Sequence, residues 1–255
     1  MLVDSHCHLD FPELAGNLDD VFALMAENGV GRALCVAVTL EDFPQVRALD
    51  ETRPDLYATV GVNPDYEGHA VEVQELVRLA AHPKVIGIGE TGLDYYRLKG
   101  DLSWQRERFR THIRAARECG KPLVIHTRAA AEDTLALMRE ERAGDVGGVM
   151  HCFTESWEVA SAAMDLGFYI SFSGIITFKS ARELREVARQ VPLERALVET
   201  DAPYLAPVPF RGRTNQPGYV RHVAAELARI QGVDEGRVEA VTTENFCRLF
   251  NVSGD

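Results

Sequence analysis

Residues 85–92 read VIGIGETG, and the way this octapeptide is taken decides the fold. Gly87, Gly89 and Gly92 carry the G-x-G-x-x-G spacing of a dinucleotide-binding turn, in which a strand passes directly into a helix whose N-terminus holds a pyrophosphate. Here a glutamate, Glu90, sits inside that turn, and no helix-opening pattern follows Gly89. The other reading takes residues 85–90 as a strand. Side chains alternate along a strand, so Ile86, Ile88 and Glu90 share a face, with two apolar residues low and a carboxylate at the C-terminal end. In a parallel barrel that end lies on the rim where catalysis is built.

The same form recurs along the chain. Apolar strand-like runs occupy residues 1–6 (MLVDSH), 32–38 (RALCVAV), 57–62 (YATVGV), 122–126 (PLVIH), 147–151 (GGVMH), 168–173 (FYISFS) and 196–200 (ALVET). Several are apolar on both faces, as parallel strands covered by helices are. Amphipathic stretches lie between them. Residues 17–29 offer Asn17 as an N-cap and Gly29 as a stop. Residues 103–120 start at Ser103, repeat Phe109, Ile113 and Ala116 on one face and stop at Gly120. Residues 180–191 pair Ser180 with Glu183 as a capping box, and residues 214–232 supply a further helix. Eight strands with intervening helices in 255 residues predict an α/β chain folded as a TIM-like (β/α)8 barrel. No linker or low-complexity block interrupts it, so residues 1–255 are expected to form a single domain.

Composition narrows the function classes. The net charge is −12, whereas proteins that grip long duplexes by general electrostatics are basic. Any nucleic-acid contact must then be local: a strand end, a few nucleotides or a phosphate held by metal. Five scattered cysteines without a C-x-x-C pair suit reduced thiols. No apolar run approaches the ~20 residues of a membrane span, and the N-terminus lacks a signal-peptide pattern. The expectation is a cytoplasmic protein with no membrane association and no obligate protein partner.

The chemistry concentrates at strand ends. In VDSHCHLD (3–10), His6 and His8 share a face, and two neutral imidazoles can ligate one transition-metal ion. Glu90 ends residues 85–90, His126 ends PLVIH, His151 ends GGVMH, and ALVETDAP brings Glu199 and Asp201 to the last strand. Five strands thus end in metal-competent side chains, and a parallel barrel converges them on one rim. His69, His82, His112 and His222 sit in loop or helix contexts that suit ordinary roles. Cys7 and Cys152 adjoin candidate ligands, but alternation points both away from the rim.

Taken together, VDSHCHLD (3–10), IGETGLDYY (88–96), PLVIHTR (122–128), MHCFT (150–154), YISFSGIITFK (169–179), VETDAPYLAP (198–207), RGRTNQP (211–217) and TTENFCRLF (242–250) resemble the TatD family of metal-dependent deoxyribonucleases, within the amidohydrolase-like metallohydrolases. The resemblance runs end to end and in order. It implies a TIM-like barrel with two divalent ions, and ligand roles for His6, His8, Glu90, His126, His151 and Asp201. Family activities are exonucleolytic cleavage of DNA and, in some relatives, removal of D-amino acids from tRNA. In the hydrolysis this implies, His6, His8 and Asp201 serve one ion, His126 and His151 the other, and Glu90 bridges. Asp201 takes the proton of the attacking water, making Asp201 and Glu90 the catalytic carboxylates. Imidazole-rich sites favour zinc or manganese, and magnesium can support turnover. Glu199 and Asp4 are candidates to orient the ligands.

Substrate contacts are expected from loops. Arg211 and Arg213 follow the last strand, and Arg128 follows His126; arginine suits bidentate phosphate contact. Tyr95, Tyr96 and Phe153 are candidates to stack on a base. In GVNPDY (61–66), Asn63 stands where the family usually has histidine, and Asp65 where some members have a second. Asn63 can donate a hydrogen bond but carries no charge, and Asp65 would repel phosphate. The same ions could instead serve carbonyl chemistry in a small-molecule amidohydrolase or lactonase, or a D-aminoacyl-tRNA deacylase.

Overall fold

The computed structural model describes residues 1–68 and 70–253, so His69 lies outside the described residues. The strands are β1 Leu2–Cys7, β2 Val30–Cys35, β3 Leu56–Val60, β4 Val85–Asp94, β5 Leu123–Arg128, β6 Gly148–Met150, β7 Phe168–Phe172 and β8 Ala196–Val198. They form one eight-stranded parallel sheet in the order β1 to β8. Helices follow the strands as crossovers, so this is a single (β/α)8 barrel. Contacts just past the strands join β8 back to β1. Asp201 N–H donates to His6 O at 2.9 Å, and His8 N–H donates to Ala202 O at 2.8 Å. Buried Asp4 ties the same seam, accepting from Thr200 N–H at 2.8 Å and Thr200 Oγ1 at 2.6 Å. Asp4 therefore fixes the closure of the barrel instead of orienting a ligand ring. Burial pushes its carboxyl well above the usual range, outweighing those bonds.

Two apolar layers hold the barrel. Its interior is filled by Val3, Leu34, Val36, Ile86, Val124, Val149, Tyr169 and Leu197, against which Phe246 and Phe250 of the helix Glu235–Phe250 pack. The wider layer lies between strands and helices and includes Ile88, Ile125, Phe109, Ile113 and Leu227. Ile88 thus faces outward, not inward with Ile86 as simple alternation predicts. The register between β3 and β4 slips beside Ala58 and Thr59, and that between β4 and β5 slips between Ile88 and Thr91. Each slip breaks the two-residue period, as a bulge does, and the pair returns Glu90 to the rim. Gly89 makes this path possible. Its φ is +146°, and a Cβ there would stand 2.5 Å from Val124 O.

The helix ends follow the sequence in part. Gly120 and Gly232 close their helices in the left-handed conformation. Asn17 occupies its N-cap position without a side-chain bond. The Ser180–Glu183 capping box does not form, because the helix Arg182–Gln190 begins later, with Ala181 at its N-cap. Among the described residues there is no disulfide, and no helix is long and apolar enough to cross a membrane.

Candidate metal centre

At the C-terminal rim the strand ends converge on Glu90. His151 Nε2 lies 2.9 Å and His126 Nδ1 3.3 Å from Glu90 Oε1, while His6 Nε2 lies 3.6 Å from Oε2. His6 Nε2 and His8 Nε2 are 3.3 Å apart, and Asp201 Oδ1 stands 3.4 Å from the second and 3.7 Å from the first. The rings of His6 and His151 stack at 3.9 Å. Ligand atoms of His6, His8 and Glu90 fall within 4.8 Å of one another, as do those of Glu90, His126 and His151. Glu90 belongs to both groups. A third group joins His6, His151 and Glu199.

The groups behind the rings set which nitrogen each presents. Val36 O lies 2.9 Å from His8 Nδ1, and Glu199 Oε1 lies 3.2 Å from His151 Nδ1, so both rings offer Nε2 inward. Asp94 Oδ2 lies 3.1 Å from His126 Nε2, leaving Nδ1 for the centre. Glu199 is thus behind His151, while Asp201 faces His6 and His8; the strand pattern alone left that choice open. Asp201 gets there through a left-handed backbone, φ +58°, beyond the end of β8.

Electrostatics matches this crowding. Burial favours neutral groups throughout the cluster. For Glu90 that preference is overturned by His151, His126 and His6, which hold it well below the usual carboxylate range. His126 resists burial through Asp94 and Glu90 and is raised to about 9. His151 is raised well above its usual value despite burial, by Glu90 and Glu199. His6 moves the other way: burial and the neighbouring His151 push it well below. Its Nδ1 is buried with no hydrogen-bond partner among the described residues. Four imidazoles gathered around one buried carboxylate, with Nε2 facing Nε2, is costly as a bare cluster and suits convergence on divalent cations.

The centre forms part of the lining of a cavity of about 750 Å³ that includes Phe11, Asn63, Asp65, Tyr66, Arg97, Arg128, Cys152 and Tyr204. Asn63 and Arg128 therefore lie where they can meet a substrate. Arg211 and Arg213 do not line it: both are exposed, and the Arg211 guanidinium sits 3.6 Å from the Phe178 ring centroid. Asp65 is paired, its Oδ2 accepting from Arg97 Nη1 at 2.8 Å, so it brings no net repulsion. Of the candidate stacking rings, Phe153 is buried and the Tyr95 hydroxyl donates to Asp133 at 2.6 Å; only Tyr96 is exposed, beneath the Arg128 guanidinium at 4.0 Å. Cys7 points away from the rim as expected, toward Leu34 O. Cys152 does not. It follows the end of β6 with φ +44°, which breaks the alternation and brings it to the cavity lining, its Sγ 3.2 Å from Ser173 Oγ. His82, His112 and His222 stand apart from the centre. Asp94 and Arg97 escaped the sequence reading, although Arg97 just past a strand gave the same signal that marked Arg128.

The description "TatD related DNase" matches residues 3–251. The chain belongs to the TatD family. Among its TatD-family relatives, the metal-dependent hydrolase YcfH of Escherichia coli K12 is 50% identical over 254 residues, covering 98% of this chain and 96% of YcfH. The 3'-5' ssDNA/RNA exonuclease TatD of Escherichia fergusonii is 31% identical over 259 residues, covering 99% of this chain and all (100%) of that one. The crystal structure of the TatD homologue YJJV from Escherichia coli K12 superposes with TM-score 0.90 at 28% identity, covering 99% and 98%. TatD membership makes the chain a metal-dependent hydrolase, and its His/Glu cluster is the place that could hold the metal.

Proposed function

We propose that this TatD-family hydrolase is a deoxyribonuclease that cleaves phosphodiester bonds at DNA ends with two divalent ions. The observation that carries the reading is Glu90, shared by two triads of ligand atoms in the wall of a cavity that also bears two guanidinium groups. His6, His8 and Asp201 would hold one ion, His126 and His151 the other, with Glu90 common to both. The imidazole-rich set favours zinc or manganese as the resident ions, with magnesium able to support turnover. Such ions supply an activated water and neutralise phosphate charge.

The residues of the chain do the rest. Arg128 and Arg97 are placed to bind the phosphates, Arg128 fixed over Tyr96 and Arg97 aimed by Asp65. Asn63 accepts from Asp65 N–H at 2.8 Å through Oδ1, which leaves its amide nitrogen as the group that can donate to a phosphate oxygen. Asp201 is more open than Glu90, 17% against 3% exposed at the side chain, and takes the proton of the attacking water. The name of the Escherichia fergusonii relative supports nucleic acid as substrate. The test is a time course on 5'- and 3'-labelled single strands, using metal-stripped protein resupplied with magnesium, manganese or zinc. Shortening from one end, abolished by chelator, is expected. Intact strands with every ion, alongside turnover of a lactone, ester or amide panel, would assign the centre to carbonyl chemistry instead.

A further inference from the structure

We propose that Phe11 and Tyr204 form a stacking subsite for an unpaired nucleobase beside the His8–Asp201 end of the centre. This rests on the phosphodiesterase reading above and adds to it the part of the substrate that is recognised.

Among the described residues, the large aromatic side chains left exposed are Tyr66, Tyr96 and Tyr204. Tyr66 and Tyr204 line the cavity, and Tyr96 lies beneath cavity-lining Arg128. Exposed rings gathered at one mouth mark a binding surface. Tyr204 is 51% exposed, yet its backbone is held firmly. Its N–H donates to Asp201 O at 2.9 Å, and its carbonyl accepts from Asn215 Nδ2 at 2.6 Å. Asn215 is fully buried and donates also to Thr200 O at 2.8 Å. The ring therefore stands in solvent on a fixed support, so little backbone order is lost when something packs on it.

Phe11 supplies the second wall. One face of its ring lies on His8 at 4.7 Å and 20°, and the Tyr204 ring stands at 77° to it with centroids 6.1 Å apart. Two rings at this angle make a corner that covers one flat guest on two sides. The same cavity carries guanidinium groups: Arg97 follows Asp94, which faces His126, and Arg128 follows His126 itself. One cavity thus offers both aromatic faces and guanidinium groups. A ligand that joins a neutral planar ring to an anion is a nucleotide unit of a single strand; a base held in a duplex cannot turn its face to the corner.

The test uses metal-loaded protein and dT tetranucleotides with phosphorothioate linkages, either intact or with one terminal base replaced by an abasic residue. Titration calorimetry should show the intact strand binding on the order of 10- to 100-fold more tightly than one of the two abasic strands, the range expected for base stacking on an aromatic ring. Tyr204→Ala and Phe11→Leu should each shrink that ratio toward one. Tyr204 is exposed, so its loss leaves folding intact, and metal content checks that Phe11→Leu keeps His8 in place. Arg97→Ala should weaken all strands alike and keep the ratio. Equal affinity of wild type for intact and abasic strands, or an unchanged ratio in both aromatic variants, overturns the subsite. Base-dependent binding without cleavage of natural strands sinks the nuclease reading and leaves the subsite standing. Cleavage without base preference does the reverse, and neither binding nor cleavage sinks both.

Discussion

Asp94 is held as firmly as the ring it faces. Its Oδ1 accepts from the backbone N–H groups of Tyr96 and Arg97, both at 2.8 Å, while Oδ2 lies 3.1 Å from His126 Nε2. Burial opposes the charge, but the bond to His126 and the two N–H groups hold Asp94 below its ordinary value. A carboxylate fixed on Nε2 commits Nδ1 to the centre, the arrangement by which outer carboxylates orient metal-binding histidines. Asp94→Asn keeps the shape and removes the charge. It is expected to weaken divalent-metal binding by about 10- to 100-fold, read by competition with a chromophoric chelator, with the melting temperature of the stripped protein nearly unchanged. Wild-type affinity in this variant would mean that Asp94 does not position the ligand. Asp94 was hidden in the sequence because β4 runs four residues past Glu90, and a period-two reading stops at the first carboxylate.

The helix Ser103–Cys119 carries a second device of this kind, acting on the segment after β3. His112 Nε2 accepts from Val62 N–H at 3.0 Å, and its Nδ1–H donates to Arg108 O at 2.8 Å. Buried Arg108 donates to Asn63 O at 2.9 Å and to Tyr66 O, and Gln105 Nε2 donates to Pro64 O at 3.1 Å. One helix face thus fixes the loop that presents Asn63 and Asp65 to the cavity. His112 accepts a backbone N–H, so it must be neutral, and burial lowers it to about 4. The unfolded chain takes up a proton near pH 6.5, while the native state resists until about 4. His112 therefore contributes stability that is complete above about 6.5 and is lost as pH falls toward 4, in all about 3 kcal/mol. The urea-unfolding difference between wild type and His112→Gln should shrink by that order between pH 7 and pH 4. A difference independent of pH would contradict the assignment. The apolar repeat Phe109, Ile113, Ala116 was legible because burial follows the helical period. His112, Arg108 and Gln105 were not, since their partners lie about 10 to 50 residues away, and no spacing rule reports them.

For the whole molecule, parallel topology makes one rim out of residues scattered from 6 to 201. That is why so much of the centre could be read from strand ends: β5 and β6 keep strict alternation, which puts His126 and His151 above Val124 and Val149. The reading failed where the chain leaves the period. The register slips in β4 turned Ile88 outward, and the left-handed turn at Cys152 carried it into the cavity lining. Loop cations were also misplaced, because Arg211 found an aromatic ring at the surface and the cavity drew Arg97 instead. With a net charge of −12 the molecule has no general attraction for phosphate, so affinity for the proposed substrate would have to come from this one rim. The proposed function needs two ions that share Glu90, and counting the ions tests it most directly. Calorimetric titration of stripped protein with zinc or manganese should show two equivalents bound by the wild type, and Glu90→Gln should weaken both; a single equivalent, or two that are indifferent to Glu90→Gln, would contradict it.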